Sequence, residues 1–151
     1  MFRIVVVVGA ALAVLALACS NAQDVGTGEP AEPVRDGVFV HITDGMDEPH
    51  DVLMALQMAL MWAETHDVLV YFDIEGVQVV LKDAEDLAFG HFPSSHTALA
   101  RLHEAGVPIM VCPGCLKVAG KTEADIMETV QIADRELFFG FTEGRILTLD
   151  Y

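Results

Sequence analysis

The residues best suited to chemistry in this 151-residue chain are two cysteines three positions apart, in Cys112-Pro113-Gly114-Cys115. They follow the apolar run 107–111, typical of a buried strand, and precede a short segment that a helix would end at Gly120. A cysteine between a strand and a helix faces unpaired backbone N–H groups, which favour the reactive thiolate. The pair therefore indicates redox, sulfur-transfer or metal chemistry, with a structural disulfide as the alternative.

Histidines are the second candidate group, since the chain has six. Four of them fall near the ends of predicted strands or the starts of the helices that follow, where a parallel sheet places its ligands: His41, His50, His91 and His96. Thiols and imidazoles suit Cu(I) or Zn, so a metal site of Cys112, Cys115, His41, His50 and His96 is an alternative, although the spacing matches no zinc motif.

Two further groups of side chains, a set of carboxylates and a set of methionines, are assigned structural rather than chemical roles. The carboxylates between Asp44 and Asp51 indicate favourable charge at a helix start. Met54, Met58 and Met61 lie in an apolar stretch and are predicted to be core rather than copper ligands.

The elements that must position these residues alternate between strands and helices. Strands are predicted at 38–42, 68–72, 107–111 and 145–149, with a strand or extended segment at 77–81. One helix is predicted from Pro49, with Asp47 as its cap, to about Glu64, and a second after Ser94 or Ser95, ending at Gly106. Two further helices are predicted: one from the cysteine pair to Gly120, and one from a Thr122/Asp125 capping box to about Gln131. The pattern indicates an α/β domain with a mainly parallel sheet.

The helix from Pro49 has an unusually apolar segment, because Val52 to Ala63 contains one polar residue, Gln57. Such a helix must be buried on more than one side. The sheet covers one side, and we expect a second copy of the chain to cover another, with a further helix as the alternative.

The first 36 residues are predicted to direct and tether the domain. Residues 1–18 resemble a secretory signal peptide, since Arg3 precedes the apolar run Ile4–Ala18, which is too short to span a bilayer. The run ends in Ala18-Cys19, which resembles a bacterial lipoprotein box, and lipidation of Cys19 would anchor the protein to a membrane outside the cytoplasm. Plain secretion and an uncleaved anchor are the alternatives. Residues 19–36 read as a flexible acidic tether and residues 37–151 as the domain.

Composition excludes one class of partner. The net charge is −15, with 23 acidic residues against 8 basic ones that are thinly scattered. Because a nucleic-acid-binding surface needs a basic stripe, nucleic acid is not expected as a partner.

The domain resembles the DsrE/DsrF-like family of small sulfur-relay proteins. The resemblance runs from Val38 to Tyr151 and rests on an opening strand followed by an apolar helix, on Val70-Tyr71-Phe72 leading to Gly76-Val77, on Gly106-Val107-Pro108, and on a strand ending in Cys112. It implies a flavodoxin-like three-layer α/β sandwich, a homo-oligomer, and a persulfide carried on Cys112. Cys115 and the signal peptide are departures from the family pattern.

Together these observations predict an exported, lipid-anchored DsrE-like protein. Cys112 would act as sulfur acceptor or redox thiol and Cys115 as its resolving partner, in a sulfurtransferase or a thiol-redox carrier that needs no cofactor and acts on a partner protein not identified by the sequence. The alternatives are a module that binds or delivers Cu or Zn, and an interaction protein with a structural disulfide.

Overall fold

The structure is a computed structural model, and it describes residues 33–151. The predicted signal peptide, the lipidation site Cys19 and most of the predicted tether lie outside the described residues. The last tether residues contact the domain: the Arg35 guanidinium donates to the backbone oxygens of Ala63 and His66, and Asp36 pairs with Arg145.

Five parallel strands form one sheet in the order β4-β3-β2-β1-β5. The strands are β1 (Gly37–Ile42), β2 (Asp67–Phe72), β3 (Ile109–Val111), β4 (Gln131–Ile132) and β5 (Ile146–Asp150). Because all four ladders are parallel, the carboxyl ends of the strands share one edge of the sheet. The predicted α/β class with a flavodoxin-like parallel sheet is confirmed.

The helices are α1 (Pro49–Trp62), α2 (Ser95–Glu104), α3 (Pro113–Val118) and α4 (Arg135–Gly140). Side chains alternate across β1, so that Val38, Val40 and Ile42 join the core with α1 and α2, while Phe39 and His41 face the opposite side. Phe138 of α4 packs edge-on against Phe39 at a centroid distance of 5.2 Å. The sheet therefore lies between an α1/α2 layer and the short α4. None of the helices in the described part is long and apolar enough to cross a membrane.

Helix α1 is covered within the chain on much of its surface. Its fully buried side chains, Val52, Leu53, Ala55, Leu56 and Ala59, belong to the common core with the sheet and α2. The prediction that Met54, Met58 and Met61 are core residues is wrong for Met61, whose side chain is 57% exposed, and the other two are only partly buried.

Local signals located helix ends correctly in several cases. The Ser94 side chain accepts from the Thr97 backbone N–H at the start of α2, and Gly106, at φ +77°, follows its end. At α1 the N-cap is Glu48 rather than Asp47, and no side chain caps it, although Pro49 occupies the first turn as predicted.

Two predicted elements differ in the structure. Residues Ile74–Val80 form a 3₁₀ helix rather than a strand, because their valines are buried in the core beside α3, and only Leu81 forms an isolated bridge, to Ile126. The capping box at Thr122 is present, but it opens a single 3₁₀ turn that ends at Asp125, and the chain then enters β4. Strand β4 and helix α4 were not predicted.

Candidate functional site

Cys112 lies at the junction of a strand and a helix, as the sequence predicted. Its backbone N–H donates to the Phe72 carbonyl at 2.9 Å, which ties it to the end of β2, and the residue is the N-cap of α3. Pro113 supplies the fixed φ of the first helical turn, so the chain turns sharply at the cysteine. The turn brings the Cys115 N–H to 3.4 Å from the Cys112 sulfur.

The thiolate of Cys112 is stabilised by hydrogen bonds. Partial burial is the largest single effect and would by itself raise the pKa of this thiol, but hydrogen-bond donors, of which the Tyr71 hydroxyl has the largest effect, together outweigh it. The backbone N–H groups of Cys115 and Gly114 act in the same direction, so the pKa of Cys112 lies below its ordinary value. The Tyr71 hydroxyl correspondingly has a strongly raised pKa, mainly because of burial, and remains a donor at physiological pH.

Cys115 occupies a complementary environment. The Ile74 backbone N–H donates to its sulfur, which favours the thiolate, but burial and the neighbouring Cys112 sulfur outweigh this bond and raise the pKa of Cys115. Ile74 has φ +48°, a left-handed conformation that a β-branched residue rarely adopts. Both cysteines are free thiols. The pKa of Cys112 is therefore lowered and that of Cys115 is raised, so Cys112 is the thiol of the pair that ionises first.

A groove of about 470 Å³ opens beside the two sulfurs. Ile74, Glu75, Val77 and Gln78 of the 3₁₀ helix form one wall, and Gly114, Val118 and Ala119 of the α3 region form the other. The exposed side chains of Val118 and Ile74 make its rim apolar.

His41 lies between two carboxylates at the same edge of the sheet. Its Nε2 is 2.9 Å from Asp73 Oδ1 and its Nδ1 is 2.9 Å from Asp150 Oδ1. Burial lowers the pKa of the imidazole, but the bonds to Asp150 and Asp73 more than compensate, so the pKa of His41 is raised. The ring stacks on Phe39 and packs against Tyr71.

The other predicted metal ligands do not gather at the thiols. His50 stacks on Phe89 at 4.6 Å, and the Nδ1 of His96 is 3.9 Å from Asp86. Neither lines the groove beside the cysteines. Among residues 33–151, no three or more His, Cys, Asp or Glu side chains are grouped so that they could hold a metal ion.

Three residues of the site were not singled out from the sequence: Tyr71, Asp73 and Ile74. All three fall at or just after the end of β2. The rule that placed Cys112 at the carboxyl edge of the sheet applies equally to the neighbouring strand, and it would have located them. No sequence pattern indicates that the Ile74 backbone N–H would donate to Cys115.

The protein is a parallel α/β domain with a cysteine of lowered pKa at the end of a strand. The model of the DsrE/DsrF-like family matches residues 36–141 of this chain. The chain belongs to this family, as its sequence pattern indicated, and membership points to a role of the sulfur-relay type.

Solved structures share the fold. The YchN protein from E. coli aligns with a TM-score of 0.58 and 16% identity, covering 78% of this chain and 100% of that one. MTH1491 from Methanobacterium thermoautotrophicum, described as a protein of unknown function, aligns with a TM-score of 0.53 and 17% identity, covering 76% of this chain and 99% of that one. At these identities the likeness shows the fold alone. A comparison with curated proteins found no match.

Proposed function

We propose that this protein accepts sulfane sulfur on Cys112 and uses Cys115 to resolve the resulting persulfide. The observation that carries the proposal is the place of the Cys112 sulfur at the start of α3, where the Cys115 N–H donates to it and where the Tyr71 hydroxyl and the Gly114 N–H also favour the thiolate. These donors stabilise a thiolate, and they stabilise the anionic form of a sulfur-bearing adduct for the same reason.

The chemistry has two steps. The Cys112 thiolate attacks a sulfane sulfur of a polysulfide or persulfide donor, so that a new S–S bond forms on Cys112 and the donor leaves as a shorter thiolate. Cys115 then loses its proton and attacks the Cys112 sulfur. A Cys112–Cys115 disulfide forms, and the transferred sulfur leaves as hydrosulfide with the bonding electron pair; alternatively, a thiol of a partner protein takes the terminal sulfur first.

The test compares three reduced proteins, namely the unmodified chain, Cys112→Ser and Cys115→Ser, after incubation with polysulfide. By mass spectrometry we expect the unmodified chain to gain one sulfur atom transiently. Cys112→Ser should gain none, and Cys115→Ser should hold the sulfur longer because the resolving thiol is absent. Uptake that survives in Cys112→Ser would refute the proposal.

Metal binding remains the alternative for the same pair. The histidines lie apart from the groove, and the described residues offer no cluster of three ligands, so no observation favours it. Titration of the same three proteins with Cu(I) or Zn, together with variants of His41, His50 or His96, distinguishes the two functions. Stoichiometric metal binding that is lost in both serine variants and weakened in the histidine variants would refute the sulfur-transfer proposal in favour of metal binding.

We further propose that the protein acts outside the cytoplasm, anchored by acylated Cys19. The support is the sequence order of charge, apolar run and Ala18-Cys19. One acyl chain anchors weakly, so multiple acylation is expected. Mass spectrometry of the membrane fraction tests this, and a soluble mature protein with unmodified Cys19 would refute it.

We also propose that the chain forms a homo-oligomer. Apolar side chains about half exposed or more are found on α4 and the edge strand β5, namely Leu137, Phe139, Ile146 and Leu147, and on α1 at Met61. Apolar surface of this kind is typically covered in an assembly. Light scattering of the unmodified chain, Phe139→Glu and Met61→Glu tests which surface is used; a monomer at micromolar concentration in the unmodified chain would refute the proposal.

A further inference from the structure

The imidazole of His41 connects the end of β5 to the end of β2. Asp150 holds its Nδ1 and Asp73 holds its Nε2, each at 2.9 Å. The His41 and Asp73 side chains are only 25% and 19% exposed, whereas Asp150 is 68% exposed. An imidazole placed between two carboxylates donates from both nitrogens, which requires the protonated ring.

Asp73 links this arrangement to the cysteine pair. Its negative charge acts on Cys115, where it disfavours the thiolate, and on the Tyr71 hydroxyl. Asp73 also immediately precedes Ile74, the residue in the left-handed conformation whose N–H donates to the Cys115 sulfur. A group that fixes and neutralises the Asp73 carboxylate therefore acts on both the charge and the backbone geometry beside the thiols.

We propose that His41 is a positioning residue for the cysteine pair: as an imidazolium between Asp150 and Asp73 it neutralises the Asp73 carboxylate beside the two sulfurs. Reactivity of the thiols then depends on the protonation of a residue that does not itself touch them. The mechanistic consequence for sulfur transfer rests on the proposed function, but the effect on thiol reactivity does not.

The groups that face His41 determine how its charge affects the ionisation of the nearby thiols. From β5 comes Asp150, from the end of β2 Asp73, and from β2 the Tyr71 ring; the remaining neighbour, Phe39 on β1, is uncharged. With His41 protonated, two carboxylates and one imidazolium leave one net negative charge. Without the proton they leave two, and the thiolates beside Asp73 become harder to form.

The experiment measures alkylation of Cys115, the thiol on which the Asp73 charge acts, against pH in the full chain, with the site of alkylation mapped by mass spectrometry. The variants are His41→Gln and Asp73→Asn, and the matched control is His103→Gln, because His103 is exposed on α2. Folding of each variant is checked by circular dichroism. Asp73→Asn keeps the test decisive if His41→Gln does not fold.

We expect Cys115 of the unmodified chain to alkylate about twofold faster than that of His41→Gln near pH 6.5. Losing a nearby compensating charge raises the thiol pKa by about half a unit, which lowers the thiolate fraction about threefold, while the more basic thiolate is somewhat more nucleophilic. Near pH 9 the two rates should converge, since His41 of the unmodified chain is then neutral, as glutamine is at every pH. Asp73→Asn should react about twofold faster at Cys115 than the unmodified chain near pH 8.5, and the His103→Gln profile should match the unmodified one.

A ratio between the unmodified chain and His41→Gln that stays constant with pH would show a purely structural role and overturn the inference. So would an Asp73→Asn rate no higher than that of the unmodified chain. Alkylation needs no sulfur donor, so a failure of persulfide uptake would refute the proposed function and leave this result standing, and the reverse also holds.

Discussion

Replacing Tyr71 by Phe removes one hydroxyl from the site and keeps the aromatic ring. The hydroxyl is the strongest single donor that lowers the pKa of the Cys112 thiol. The ring also packs edge-on against Phe138 and beside Phe39, and phenylalanine preserves both contacts. Tyr71→Phe therefore tests the hydrogen bond to sulfur with little change in packing.

The expected change in the pKa of Cys112 follows from the general strength of a hydrogen bond to a charged group. A hydrogen bond to a charged group contributes about 1.5–3 kcal/mol, and the partial exposure of Cys112 favours the lower end, so its pKa should rise by about one unit. Near neutral pH the thiolate fraction then falls about tenfold, while the more basic thiolate is intrinsically about threefold more nucleophilic, so alkylation slows by about threefold. Well above both pKa values the variant should instead react about threefold faster.

The assay is the rate of iodoacetamide alkylation of Cys112 from about pH 5.5 to 10 in a Cys115→Ser background, which leaves one thiol in the domain. Tyr151→Phe serves as the matched control, since it removes the other tyrosine hydroxyl of the chain. We expect the Tyr71→Phe and unmodified profiles to cross, and the Tyr151→Phe profile to follow the unmodified one.

Two outcomes would contradict this reasoning. If Tyr71→Phe and its parent have the same apparent pKa, the hydroxyl does not stabilise the thiolate. If the variant is slower at every pH by a constant factor, the change acts through access to the groove rather than through ionisation.

Three further predictions concern stability and are measured by thermal or denaturant unfolding. A Cβ on Gly76 would collide with the Ile42 backbone oxygen, so Gly76→Ala should cost at least about 2 kcal/mol, whereas the control Gly140→Ala, where nothing lies within 4 Å, should change stability little. The Ser95 hydroxyl is fully buried and accepts from the Leu87 N–H at 2.9 Å, so Ser95→Ala should cost about 1–3 kcal/mol by leaving that donor unpaired; an unchanged midpoint would show that water replaces the hydroxyl. Because the pKa of His41 is raised on folding, its stabilisation is present below about pH 6.5 and is lost as the pH rises through the higher folded-state value, so Tm should fall across that window. In His41→Gln the decline should be smaller, and an equal decline would assign it to other groups.

The alternation of strands and helices was readable from the sequence because its causes are local. A β-branched-rich run at 38–42 and buried apolar runs at 68–72 and 107–111 indicated strands, and they overlap β1, β2 and β3. The Ser94 cap and the stop at Gly106 likewise depend on side chains and φ values within a few residues. The location of Cys112 followed from these elements alone.

Local pattern failed where burial decided the conformation. The valines between 77 and 80 suit a strand, but that segment has no strand partner in the sheet, and it is buried as a 3₁₀ helix beside α3 instead. Strand β4 has only two residues and pairs with β3, so its existence depends on the partner rather than on its own sequence.

The sequence by itself determined the class of fold, the family and the position of the cysteine pair at a strand end, because periodicity, helix-end signals and the spacing of the pair are properties of short segments. Only the tertiary structure decided what surrounds that cysteine. Tyr71 reaches Cys112 from the neighbouring strand, and His41 meets Asp150 across 109 positions of sequence. Hydrogen bonds of this kind depend on which strands lie side by side, and the energy that selects the strand order comes from burying the whole core rather than from any one segment.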